Sequence, residues 1–231
     1  MSEVDCTGKT PREINQEIRR LIAAGEQEIV ILHPQARHNL GVAIVRPVKL
    51  VFEGSVGYYC AGLVDGPSVE IRGSAGWGVG EGMMSGTVIV EQNAGNSAAA
   101  SIRGGTVVIH GSASARAGIA MKGGTLLIRG NCGYMAGFMM QKGTIIICGD
   151  AGEALGDSMY EGRIFVGGHI AELGNDAVVQ EPTPEEHELL ITTLTQYGMT
   201  EASPVQFKKV VAGRQLWKFD KKEFATWREA L

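Results

Sequence analysis

Short apolar strands recur along the chain at a fixed interval. The segments TVIV, TVVI, TLLI and TIII begin at Thr87, Thr106, Thr125 and Thr144, nineteen residues apart. In an extended strand successive side chains point to opposite faces, so the second and fourth residues of each segment share one face and the third takes the other. The second-position column reads Leu50, Val69, Val88, Val107, Leu126, Ile145, Ile164, and the fourth reads Phe52, Ile71, Val90, Ile109, Ile128, Ile147, Val166. Both are apolar throughout, which makes them interior. Two more columns are small or apolar: Val56, Ala75, Ala94, Ala113, Cys132, Ala151, Ile170, and Cys60, Val79, Ala98, Ala117, Ala136, Leu155. A ladder of Val64, Met83, Ile102, Met121, Met140 and Met159 completes the set. A period near twenty residues built on short strands predicts a solenoid, in which each repeat is one coil and like residues stack about 4.8 Å apart.

Glycine punctuates the same grid. It closes the strand at Gly54, Gly73, Gly111, Gly130, Gly149 and Gly168, with Gln92 breaking the series, and it returns at Gly57, Gly76, Gly95, Gly133 and Gly152 and again at Gly80, Gly118, Gly137 and Gly156. These positions read as corners needing positive φ or a tight bend. The mainly β chain is therefore expected to form a parallel β-helix of about seven coils over residues 47–175.

The ends fall off the grid. Thr10-Pro-Arg-Glu13 is a capping box with Pro at the first helical position, and Ile14, Ile18, Leu21 and Ile22 mark one helical face. A strand, EIVIL, follows. Residues 1–46 thus predict an N-terminal α/β cap for the open end of the solenoid. Residues 176–231 predict a C-terminal helix begun at Pro184, then a basic, aromatic tail. There Phe207, Trp217, Phe219, Phe224 and Trp227 read as anchors, on this chain or on a partner.

The third strand position does not fit a solvated face. Its column is Val51, Glu70, Ile89, Val108, Leu127, Ile146, Phe165. Five consecutive large apolar groups pointing outward mark an interface, to a partner subunit or to a terminal helix of the chain itself. Ile89, Val108, Leu127, Ile146 and Phe165, with Trp217 and Phe219, are the candidate interface residues. The N-terminal helix, through Ile14, Ile18 and Leu21, is one candidate cover.

Composition narrows the function. The net charge of −4 offers no basic field for nucleic acid. No apolar run approaches the ~20 residues of a membrane span, and the first residues lack the pattern of a signal peptide. Four cysteines without paired spacing suit a reducing cytoplasm. Cys60 and Cys132 fall in core columns, Cys148 faces outward without a partner at ligand spacing, and Cys6 stands alone. The methionine ladder is core rather than a soft-metal site. Gly8-Lys9-Thr10 lacks the glycine that a phosphate loop requires, since Glu3 stands in its place, and GWGVGEG falls on the repeat grid. His110 shares a column with Arg72, Glu91 and Arg129, which read as solvated. Asp65, Asp150 and Asp157 occupy different columns, so no acid pair of the kind a polysaccharide-cleaving β-helix needs is in place. No catalytic, cofactor-binding or metal residue is expected in this chain.

The corner phrases Gly73-Ser-Ala-Gly76-Trp-Gly-Val-Gly80, Gly130-Asn-Cys-Gly133-Tyr-Met-Ala-Gly137 and Gly149-Asp-Ala-Gly152-Glu-Ala-Leu-Gly156 share the form G-x-x-G-x-x-x-G after a Thr-led strand. This resembles the GXGXG family, the C-terminal domain of glutamate synthase, over roughly residues 40–175. Ser114, Ala61 and Ala99 depart from the glycine pattern with small residues. The resemblance implies a right-handed β-helix without catalytic residues, one that braces a glutamine-amidotransferase domain against a flavin barrel. The layout, with a helical cap and a GRQLWKFD tail, is similar to the small GXGXG subunits of N-methylglutamate synthase. That likeness implies a hetero-oligomer with an amidotransferase-like subunit and a glutamate-synthase-like subunit carrying FMN and iron–sulfur clusters, making N-methylglutamate and ammonia from methylamine and glutamate. The C subunits of formylmethanofuran dehydrogenase and of the formyltransferase/hydrolase complex share the fold and are the alternative.

Overall fold

The apolar columns close into one core. A computed structural model of the chain describes residues 2–201 and 207–213. Strands β3 (Lys49–Glu53), β4 (Asp65–Ile71), β5 (Ser85–Val90), β6 (Thr106–Ile109), β7 (Lys122–Ile128), β8 (Lys142–Ile147) and β9 (Arg163–Val166) stack in parallel, one per coil. Their register is the nineteen-residue grid, with Val107 opposite Leu126 and Leu126 opposite Ile145. Every second- and fourth-position residue from Leu50 to Val166 is buried. The column from Val56 to Ile170 forms its own ladder of single parallel bridges across the coil. The chain is thus a parallel β-solenoid of about seven turns, with two helices among the described residues.

The ladder does not begin at residue 47. β2 (Glu28–Leu32) pairs in parallel with β3, and β1 (Ser2–Asp5) with β2. Residues 28–48 therefore make a further coil. Its offset, Glu28 opposite Lys49, is two residues longer than the grid spacing, and Asn39 and Ala43 hold positive φ at corners resembling those of the later coils. With the spacing shifted and few glycines present, the repeat is invisible there by pattern. Helix α1 (Pro11–Ala23) carries the expected capping box and sends Ile14 and Ile18 into the main core. The buried Asn15 ties it to the first coil by donating to the Asn39 carbonyl at 2.7 Å and accepting from the Gly41 amide at 2.8 Å.

At the other end the parallel order breaks. β11 (Lys208–Ala212) pairs antiparallel with β9, and β10 (Ala177–Gln180) antiparallel with β11. Between them α2 (Pro184–Gln196), started by a Thr183–Glu186 capping box, lies outside the β-helix. Leu190 and Leu194 of α2, with Met199 and Phe207, form a second apolar cluster with Val108, Leu127, Ile146 and Phe165. Glu186 holds this arrangement, pairing with Lys209 at 2.9 Å and Arg163 at 3.6 Å.

Each coil turns its corners with left-handed residues in a fixed rhythm. Five and nine residues past the strand-closing position, the N–H points to the following coil: Tyr59 donates to the Trp77 carbonyl and Leu63 to that of Glu81. Seven residues past, it points back: Gly118 donates to the Ala98 carbonyl. The position between holds Gly80, Gly118, Gly137 and Gly156 at φ +69° to +70°, but also Ala61 and Ala99 at +54° and +58°. Hydrogen bonds to both neighbouring coils fix the backbone there, so small residues accept a conformation that costs about 1–2 kcal/mol outside such a frame.

Candidate interaction surface

The candidate interface row is where the pattern put it, outside the β-helix. Val108, Leu127, Ile146 and Phe165 are fully buried and Ile89 is partly buried against the same cluster. The cover is the chain's own C-terminal helix and strand. α1, the other terminal helix, packs into the main core instead. Four of the five residues are therefore not open to a partner in this fold. Phe207 is buried in that cluster, whereas Trp217 and Phe219, with Phe224 and Trp227, lie outside the described residues. Glu70, the polar exception in the row, accepts from Arg72, which also pairs with Glu53.

No nucleophile or metal-ligand cluster appears among the described residues. No three His, Cys, Asp or Glu side chains gather there as a cation would require. Burial pushes all four thiols up, Cys132 to about 12, Cys148 to about 11 and Cys60 further still, so each is held as the unreactive thiol. Cys148, expected to face outward, is half-buried beside the outer cluster. Of the nearly buried charges, Asp157 accepts from Ser158 and Asn175, and Lys209 is paired with Glu186.

What the fold leaves open is the turn side of the coils. Four residues past the strand-closing position, Tyr58, Trp77 and Tyr134 share a column, and Leu63 and Met139 share the column five further on. All five are 39% to 62% exposed. His38, Tyr58 and Trp77 form a stack, with ring centroids 4.3 Å and 5.1 Å apart and planes within 18°. The glycines of GWGVGEG acquire a second role here. A Cβ on Gly76, Gly78 or Gly82 would lie 2.7 Å from Tyr58, Tyr59 or Leu63 respectively. Each large side chain lies flat over a glycine of the next coil, which broadens the surface instead of crowding it. Between Tyr59 and Leu63 is an open apolar cavity of ≈ 340 Å³, lined also by Asn39, Val42, Gly62 and Glu81.

One edge of this face is a polar ladder that the strand pattern did not reveal. Five side chains accept from the amide of their counterpart one coil on: Ser55 from Ser74, Asn93 from Ser112, Ser112 from Asn131, Asn131 from Asp150 and Asp150 from His169, at 2.7–3.1 Å, while Ser74 donates its hydroxyl to Gln92. The run Ser55, Ser74, Asn93, Ser112, Asn131 and Asp150, closed by His169, is its signal in the sequence, since Ser, Asn and Asp can each accept from a neighbouring amide.

Comparison with known proteins agrees with this geometry. The GXGXG motif family matches residues 33–208. The chain belongs to the GXGXG family. Protein GlxC of Rhizobium meliloti (strain 1021) is 40% identical over 92 residues, which span 39% of this chain and 40% of GlxC. The solved structure of the formyltransferase/hydrolase complex FhcABCD from Methylorubrum extorquens, with methylofuran, contains a chain that superposes with a TM-score of 0.67 at 26% identity, covering 88% of this chain and 87% of that one. The family match begins at residue 33, inside the coil that the grid missed. No described helix is long and apolar enough to cross a membrane.

Proposed function

We propose that this GXGXG chain is a non-catalytic scaffold subunit of a glutamate-synthase-like complex, N-methylglutamate synthase, bracing an amidotransferase-like subunit against one that carries FMN and iron–sulfur clusters. The observation that carries the reading is the pairing of a rigid solenoid, whose thiols are all held protonated, with a broad exposed apolar turn face. Such a chain is built to be gripped rather than to react. Its own apolar row is already covered by α2, so the turn face is the surface left for assembly. The likeness to GlxC over 92 residues, 40% of that protein, supports the family part of this reading. The cytoplasm is the compartment that four unpaired thiols favour.

A second reading has its own support. The structural match to a chain of FhcABCD over nearly its whole length favours the C-subunit role in a formyltransferase/hydrolase-type complex. The two separate on the native complex. Purification through a tag on this chain should recover flavin absorption and an amidotransferase-sized chain on the first reading. A metal-dependent amidohydrolase-like partner in its place would establish the second and overturn the first.

A further inference from the structure

We infer that the turn face, with the basic stripe along its second edge, is the docking surface for a partner subunit whose contact patch is apolar at its centre and carries a row of carboxylates along one side. The inference rests on the multi-subunit reading above and says where, and by what chemistry, the partner is held.

Going around each coil, the turn face ends at the buried column of Met83, Ile102, Met121 and Met140. The next position outward reads Met84, Arg103, Lys122, with Lys142 opposite Lys122 in the ladder. Arg103, Lys122 and Lys142 are exposed, and none has an acidic partner among the described residues. Asp65, which accepts from Ser85 at 2.6 Å, and Glu161 stand at the two ends of the stripe. In a solenoid, like residues one coil apart lie about 4.8 Å from each other, so three uncompensated cations in succession repel one another. A protein of net charge −4 that keeps such a stripe presents a surface complementary to carboxylates.

The area argues the same way. Tyr58, Tyr59, Leu63, Trp77, Tyr134 and Met139 are each 39% to 62% exposed, and Met84 at the edge is 47% exposed. Large side chains bury roughly 150–250 Å² each, so these seven present on the order of 600 Å². They fall in two clusters, Tyr58, Tyr59, Leu63 and Trp77 on adjacent coils and Tyr134 with Met139 further along, with Asn96, Ala115 and the exposed Arg116 between them, so a partner surface of standard size, roughly 800 Å², would span both. Across each apolar cluster the arrangement follows interface anatomy, with a Ser/Asn/Asp edge on one side and a cationic edge on the other. The cavity between Tyr59 and Leu63 has room for one apolar anchor side chain. A second copy of this chain is the poorer occupant, because its turn face bears cations along the same edge and at Arg116; of its acids, Glu81, Glu153, Asp157 and Glu172, no more than two share a column and Asp157 is bound to Asn175, so they make no row to match the stripe.

The test uses the complex purified through a tag on the full chain. Zero-length carbodiimide coupling should join Lys122 or Lys142 to an Asp or Glu of a different polypeptide. Hydroxyl-radical footprinting should show Tyr58, Tyr59, Trp77 and Met139 protected at least several-fold relative to the isolated chain. The variant Arg103→Glu/Lys122→Glu should keep the melting temperature of the isolated chain while weakening assembly at least tenfold. Couplings only between two copies of this chain, or equal oxidation in complex and free chain, would overturn the inference while leaving the scaffold reading standing. A wild-type tagged chain that purifies without any other polypeptide would overturn the scaffold reading itself.

Discussion

At the seventh corner position, glycine and alanine hold the same backbone for different reasons. Gly118 sits at φ +69°, and a Cβ there would lie 2.5 Å from Ile145 Cδ1. Ala99 holds φ +58° with its methyl buried. Gly118→Ala should therefore destabilise the chain by about 1 kcal/mol or more, and Ala99→Gly should cost less or stabilise, because the strain it relieves opposes the added freedom of the unfolded chain. Urea denaturation of both variants checks the sign. The thiols give a second outcome. Cys132 lies between Ala113 and Ala151 in its ladder, and burial lifts its pKa to about 12. At pH 8 a thiol reagent should leave Cys60 and Cys132 unlabelled in the native protein and label them on denaturation, whereas fast native labelling would contradict the burial. Both thiols were legible in the sequence, because their neighbours in the column are Ala, Val and Leu. The Ser55–Asp150 ladder was not, since a polar residue in a loop looks solvated until its partner one coil away is known.

At the scale of elements, the outer row on β6 to β9 and the helix α2 are one packing unit. Leu127→Asp with Ile146→Asp places two carboxylates beneath α2, so it should lower the melting temperature of the isolated chain rather than act only on assembly. An unchanged melting curve would mean that α2 does not cover the row. Glu186 is the pH-sensitive fastening of this unit. Burial raises its pKa, but the Thr183 amide, Lys209 and Arg163 outweigh that and hold it below the usual carboxylate range. A depressed folded-state value contributes stability above the unfolded pKa of roughly 4.3, lost as pH falls through the folded value. Glu186→Gln should cost about 2 kcal/mol near neutrality, since it leaves Lys209 nearly buried without its counter-charge, and should flatten the acid side of the stability profile. The pattern showed that the row is apolar and outward. It did not show its cover, because Leu190 and Leu194 mark only a weak stripe on α2 and nothing local ties that helix to a given face. The first coil was missed for a related reason: a two-residue offset moves Glu28–Leu32 off the grid that makes the other coils visible.

For the whole molecule, the solenoid turns a repeated phrase into a continuous wall. Four coils separate Tyr58 from Tyr134, which sets them about 19 Å apart at 4.8 Å per coil, a span suited to one partner surface. Nearest-neighbour stacking makes the wall rigid along its length, which suits the proposed role as a brace between two other subunits. The fold was legible because every coil repeats the same demands on its residues. The turn face was less so, because Tyr58 and Trp77 meet only once the coils stack, and Tyr134 lies beyond Asn96 and Ala115 in the same column. Native mass spectrometry of the complex purified through a tag on this chain, with its absorption spectrum, tests the central claim most directly. The account predicts this chain together with at least two other polypeptides, a flavin spectrum in the complex, and no flavin on this chain expressed alone. A lone chain or homo-oligomer from the native source, or stoichiometric flavin on the isolated chain, would contradict it.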